Sequence, residues 1–324
     1  MVNVLKLTLA FVRTWRSAPI IDWIRATRLY RAGLLEAAIP LYERGLHRHS
    51  AHNAASFARY ELAHCLMRVQ RFTDAEDHLR LLILQHPQDR EPYVRLVKLT
   101  MWRGHFHEAG LMATRAAQRF HPDPELVGLA LWCFVSTGGC GELIREVLEL
   151  NEQLPIKERQ ATPLIRAALG WHWYREGEEG LGAREVATVA LSAERHSVEA
   201  ALTYAEILLE GGHLLLAREQ LRRALSLRPG YPLTLGLLAQ SYLTAESYQP
   251  AHAAELALEA CRASGWRSAR LLHLYAETQH RLGEYSTAIM MAHRARHEAQ
   301  QVIARYSELP ALERLISELD SRSF

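Results

Sequence analysis

Lysine is nearly missing from this chain. Only Lys6, Lys98 and Lys157 are lysines among its 38 basic residues, and these face 36 acidic ones. The formal net charge is +2, so no global field draws the protein to nucleic acid. No continuous basic stripe with stacking aromatics runs along the sequence, and nucleic-acid binding is not expected. The cationic surface is arginine, a side chain suited to bidentate partner contacts. A GC-rich codon bias would give the same composition, and both readings stay open.

Cysteine is scarce as well. Cys65, Cys133, Cys140 and Cys261 form no C-x-x-C pair. Cys65 and Cys261 fall on apolar helical faces and are expected to be small buried hydrophobes in a reducing compartment. Cys133 and Cys140 flank the Gly138-Gly139 turn, which leaves a disulfide there open. A Gly-rich phosphate loop, G-x-S-x-G and H-E-x-x-H are all absent. No nucleophile, acid and base converge, so neither catalysis nor a cofactor is expected. Histidines cluster as His47, His49 and His52, and His105 and His107 flank Phe106. A stable transition-metal site needs three or four convergent ligands with outer-shell support. These histidines sit in turns beside arginines and are read as solvated or helix-capping; no metal site is assigned.

The apolar stretch at residues 2–12 is too short to span a bilayer, which needs about 20 residues. It lacks the cleavage pattern of a signal peptide. Arg13, Trp15 and Arg16 follow it. Two readings stay open: a helix covering the open end of the first structural unit, or a basic amphipathic segment, residues 2–16, lying in a membrane interface. Unpaired cysteines and no cleavable leader favour the cytoplasm, with inner-membrane association as the second reading.

What the chain does have is a ladder of alanines. Ala38, Ala75, Ala109, Ala183, Ala217, Ala251 and Ala288 each follow a turn and open a run of helix formers, with Leu143 on the missing rung. A recurring stride of about 34 residues is the period of helix–turn–helix repeats. Two antiparallel helices approach closely only where one side chain is small. Glycine after the first helix supplies the left-handed turn, and proline after the second prevents its continuation. Hydrophobic residues make up 49% of the chain, enough to bury a core shared between neighbouring repeats.

The residues at this period resemble the tetratricopeptide repeat family. They are Gly33-x-Leu35-x-x-Ala38-x-x-x-Tyr42, Leu169-Gly170-x-x-Trp173, Ala205 with Ala217 and Ala224, Tyr248-x-x-Ala251, and Gly283-x-Tyr285-x-x-Ala288. The resemblance implies an all-α fold, a right-handed superhelical solenoid of about eight repeats with capping helices at both ends. The expected domains are a capping or membrane-interfacial helix at 1–18, an N-terminal arm of four repeats at 19–157, a C-terminal arm of four repeats at 158–300, and a capping helix at 301–324. The fourth repeat is degenerate at Leu143, and Leu154 to Thr162 lengthens the chain before the fifth. The array is expected to splay, bend or divide there. Trp173 is expected in the core, and Trp171, on another face of the same helix, is expected to pack against a neighbouring helix rather than a ligand.

The family's first helices line a concave face that takes an extended peptide or a partner helix. Carried onto this chain, that face presents Trp23, Thr27, Tyr30 and Arg31, then Tyr60, His64, Met67 and Arg68, then Val94, Arg95, Lys98 and Trp102. The sixth repeat adds Glu199, Glu206 and Glu210, and the eighth adds Arg270, His273, Glu277, His280 and Arg281. Arg31, Arg68, Arg95 and Lys98 would bind an acidic or carboxylate-bearing segment by charge-assisted hydrogen bonds, with Tyr30, Tyr60 and Trp102 supplying packing area. The expected function is a non-enzymatic adaptor that holds a protein or peptide partner in the assembly or regulation of a multiprotein complex. The second reading is a peripheral inner-membrane assembly factor for an envelope, secretion or polysaccharide machine. The sequence does not set the oligomeric state.

Overall fold

The computed structural model describes residues 18–52, 54–137, 141–192, 197–244, 248–301 and 308–322. The apolar N-terminal segment, Cys140, and Val302 and Tyr306 of the expected terminal helix lie outside them.

Eighteen helices and no strand occur among the described residues. In chain order they are α1 (Ala18–Arg31), α2 (Leu35–Arg48), α3 (Ala55–Arg68), α4 (Phe72–Gln85), α5 (Arg90–Trp102), α6 (Phe106–Arg119), α7 (Pro124–Thr137), α8 (Gly141–Gln153) and the short α9 (Ile156–Ala161). There follow α10 (Pro163–Arg175), α11 (Glu179–Ala190), α12 (Val198–Glu210), α13 (Leu214–Leu227), α14 (Pro232–Ser241), α15 (Pro250–Ala263), α16 (Ala269–Arg281), α17 (Tyr285–Gln301) and α18 (Leu309–Arg322). Two compact units divide between Leu99 and Thr100, near the end of α5. None of these helices is long and apolar enough to cross a membrane.

The same turn recurs because the same backbone bonds close it. Leu34, Arg71, His105, Glu178, His213 and Glu284 each donate their amide to the carbonyl five residues back: Leu29, Leu66, Thr100, Trp173, Leu208 and Gln279. This six-to-one bond is the Schellman closure, which needs a left-handed residue just before the donor. Gly33 takes that role at φ 77°, and Gln70 takes it without being glycine, at φ 63°.

In the first unit α1 packs on α2, α2 on α3 and α3 on α4. In the second, α10 to α18 pack in the same consecutive manner. The residue at the crossing is the fourth of each second helix. It is Ala38, Ala75, Ala109, Ala217, Ala253 and Ala288 in six repeats, all fully buried. The structure therefore corrects three rungs of the ladder. Ala251 is exposed, and Ala253 occupies its place. Gly182, not Ala183, is the fifth rung, and half-buried Ile144 replaces Leu143 at the fourth. Gly182 is forced by geometry: a Cβ there would stand 2.4 Å from the Gly170 carbonyl oxygen and 2.5 Å from the Tyr174 amide nitrogen. Two glycines face each other where α10 crosses α11, and no backbone pair could come so close around a side chain.

The degenerate fourth repeat is rebuilt around α7. Leu126 to Val135 are buried on every side of that helix, as expected for a helix without a polar face. α6 and α8 pack on it, and it also lies directly along α10. Gly128 permits that approach, since a Cβ there would meet Leu164 Cγ at 3.0 Å. The inner side of this unit is filled by its own side chains. Trp132 stacks near Trp171 at 5.9 Å and donates its indole N–H to Thr203 at 2.9 Å. Trp171 thus packs on a neighbouring helix and is buried, whereas Trp173, expected in the core, is only half-buried. Within the second unit, Trp102 donates to the Ala263 carbonyl at 2.9 Å, and Gly104 sits against Ser268.

Replacing Gly182 with alanine should lower the denaturation midpoint, a loss of about 1–3 kcal/mol from overpacking at a rigid crossing. Gly180, two residues earlier, has open space around its missing Cβ. Gly180→Ala should be neutral or stabilising by up to about 1 kcal/mol. Urea titration followed by circular dichroism checks both, and equal midpoints would refute the tight crossing.

Candidate functional site

The inner surface of the first unit is built from residues one repeat apart on α1, α3 and α5. Thr27 donates to Glu61 Oε2 at 2.7 Å, and Tyr42 of α2 donates to the same oxygen. Glu61 is a buried carboxylate satisfied by two hydroxyls, which ties α1, α2 and α3 together without a cation. Arg95 Nε donates to the Tyr60 hydroxyl at 2.7 Å, and its guanidinium carbon lies 5.4 Å from the Tyr60 ring centroid. Tyr60 in turn donates to Glu91 at 3.3 Å. Tyr30 and His64 share a hydrogen bond of 3.0 Å between the hydroxyl and Nδ1, with their rings edge to face.

The electrostatics follow from this packing. Burial, reinforced by Arg95 and Arg68, holds the His64 imidazole down at about 4, so it is neutral at physiological pH. Burial likewise raises the Tyr30 and Tyr60 hydroxyls. Burial and the Glu61 charge push the Cys65 thiol up to about 12, leaving no thiolate for nucleophilic chemistry. Arg31 and Arg68 are exposed and have no ion pair among the described residues, while Lys98 is half-buried. Two exposed guanidiniums, groups suited to charge-assisted hydrogen bonds, thus stand beside a base of satisfied hydrogen bonds.

Seven of the ten expected site residues lie in the first unit: Tyr30, Arg31, Tyr60, His64, Arg68, Arg95 and Lys98. Trp102, Glu206 and Glu210 belong to the second unit and are engaged there. Trp102 is hydrogen-bonded to Ala263 and packs edge to face with Tyr231 at 5.2 Å. Glu206 is buried and ion-paired with Arg270 at 3.0 Å; Glu210 meets Arg175 at 3.3 Å. Three side chains that sequence reasoning passed over also shape the first unit: Glu61, Phe57 and Arg28. Phe57 and Glu61 lie one stride of 34 after Trp23 and Thr27. Extending the register one turn toward the start of α3 would have found both.

Among the described residues no group of three or more His, Cys, Asp or Glu side chains could hold a metal ion. His49 caps α2, with its backbone amide bound to the Gly45 carbonyl. His52 accepts from the Ala54 amide at 3.0 Å and edges the Trp23 ring. His105 faces Glu108 at 3.6 Å, and His107 is buried against Phe134, its pKa lowered by that burial.

Residues 29–100 match the family profile described as tetratricopeptide repeat. No curated protein sequence matches the chain. Among solved structures it is similar to the APC/C hetero-tetramer Cut9–Hcn1. The TM-score is 0.51 at 12% identity, over 91% of this chain and 54% of that one. The chain therefore spans about half the length of that relative, and the likeness speaks to the fold alone. A looser superposition, with a TM-score of 0.35 at 15% identity over 94% of this chain and 99% of the other, relates it to the TPR2AB-domain:pHSP90 complex of yeast Sti1. That score is too low to carry an argument.

A histidine whose pKa is lower in the fold than in the unfolded chain makes folding acid-sensitive. The unfolded state takes the proton first, so stability is full above the ordinary 6.5 and falls as pH drops toward about 4. Thermal melts at about pH 7.5 and about pH 5 should therefore show a drop in Tm that His64→Gln reduces. An unchanged drop in the variant would remove His64 as the cause.

Proposed function

We propose that this chain, whose residues 29–100 match the tetratricopeptide-repeat profile, is a non-catalytic interaction scaffold whose first unit takes an acidic segment of a partner protein. The second unit is the more self-contained body, since its inward Glu206 and Trp102 are occupied by Arg270 and Ala263. The observation that carries the reading is the pair Arg31 and Arg68. Both are exposed on the inner surface, and neither has an ion pair among the described residues. Beneath them Arg95 is fixed by Tyr60, and the neutral His64 adds no positive charge of its own. Carboxylates of a bound segment would meet the two free guanidiniums first, at little cost in rearrangement. The role that follows is assembly or regulation of a multiprotein complex, with the scaffold supplying placement and the partners the chemistry.

The test is affinity capture with mass spectrometry from the native host, comparing the natural chain with the Arg31→Ala/Arg68→Ala double variant. A specific partner should fall by about tenfold in affinity on the double variant, roughly 1.4 kcal/mol. Its binding should also become less sensitive to salt between about 50 and about 200 mM. A partner retained with unchanged affinity and unchanged salt slope would refute the acidic-segment reading.

A further inference from the structure

Beside the cationic surface lies a cavity of ≈ 410 Å³ walled by Trp23, Ile24, Tyr42, Phe57 and Ala58. Such a volume falls within the range of about 300–1,000 Å³ seen for ligand pockets. Arg28 and Arg31 stand at its edge, both exposed, and neither has an ion pair among the described residues. Thr27 and Arg31 belong both to this lining and to the inner surface, so the cavity opens onto the same face that carries Tyr30, His64 and Arg68. Phe57 is the oddity that points to a ligand. It is 58% exposed at the first turn of α3, where a polar side chain would have served the helix better. Ile24 is 37% exposed on the facing helix.

We propose that this cavity is an anchor pocket for an acidic amphipathic segment of the partner, whose bulky apolar side chains enter between Trp23 and Phe57 while its carboxylates pair with Arg28 and Arg31. The proposal deepens the acidic-segment reading and rests on it. Charge selects the occupant. The apolar stretch at residues 2–12 of this chain carries Lys6 and is followed by Arg13 and Arg16, and those cations would face Arg28 and Arg31 with like charge. An acidic partner gains where the chain's own segment loses. Apolar contact supplies the affinity, because exposed ion pairs alone contribute little, and the rim arginines supply orientation and rejection of basic segments.

The experiment uses the full chain and three fluorescein-labelled synthetic peptides of about twelve residues, or about three helical turns. One is Glu-rich with phenylalanines at i and i+4, the second replaces those phenylalanines with alanine, and the third keeps them but replaces glutamate with lysine. Fluorescence anisotropy should rank the first about tenfold or more above both others. Phe57→Glu, which suits the start of a helix, and independently Ile24→Gln, should each bring the first peptide down to the level of the alanine peptide. A melt of each variant verifies its fold. If the alanine peptide binds as well as the phenylalanine one, the anchor is refuted while the acidic-segment reading survives. If no acidic peptide binds in a salt-dependent way, both fall. Dodecanoate binding that Phe57→Glu abolishes, with no peptide binding, would overturn the anchor and assign the cavity to an anionic amphiphile.

Discussion

The distance at which two helix backbones can meet governs this molecule. A repeat of this length has no core of its own; it becomes stable when its two helices touch along a line and the next pair closes over them. The touching point admits one methyl group at most, and Ala38, Ala75, Ala109, Ala217, Ala253 and Ala288 sit there with no solvent exposure. Where the helices come nearer still, alanine is too large. Gly170 and Gly182 meet instead, each close to the other's carbonyl oxygen. Everything else in the repeat follows from that contact. The Schellman turn places the second helix against the first, and large residues beside the crossing fill the remaining grooves.

The same constraint explains how much could be read from the sequence. The stride, the all-helical fold and the turn positions were legible because each repeat must solve one packing problem, and its solution recurs. The register within a repeat was less legible. Ala251, Ala253 and Ala254 lie within four residues, as do Gly180, Gly182 and Ala183, and composition cannot say which of them faces the partner helix. That choice is made by tertiary contact: Tyr174 and Gly170 select Gly182, and exposure removes Ala251. Trp173 was misplaced for the same reason, and the helix that Trp171 would meet could not be read. The neighbour that buries Trp171 is Trp132 on α7, which reaches α10 only because the fourth repeat departs from the regular stacking. A degenerate repeat is visible in sequence as a missing alanine, but the contact that replaces it is not.

Site residues divide along similar lines. The placement of Tyr30, His64, Arg68 and Arg95 on first helices was legible because that position recurs with the repeat. Glu61 was not, since a carboxylate at that register reads as a solvated charge until Thr27 and Tyr42 are seen to donate to it. Glu206 and Trp102 were legible as inward-facing but not as occupied. Their partners, Arg270 and Ala263, lie 64 and 161 residues further along the chain, and no local pattern announces a contact at that separation.

What remains is the question of which charges are free to act. In the second unit Arg228 is paired with Glu199, Arg270 with Glu206, and buried Arg218 bonds both the hydroxyl and the carbonyl of Ser241 beneath the Tyr242 ring. These guanidiniums hold the fold together, and removing one would strand a buried carboxylate or carbonyl. On α1 and α3 the balance differs. Glu61, a buried acid of α3, is satisfied by two hydroxyls and not by a cation, and Arg28, Arg31 and Arg68 are exposed with no ion pair among the described residues. Two hydroxyls in place of a salt bridge satisfy the Glu61 oxygen without engaging any of these three guanidiniums. The surface proposed for an acidic partner therefore rests on how one buried glutamate is satisfied.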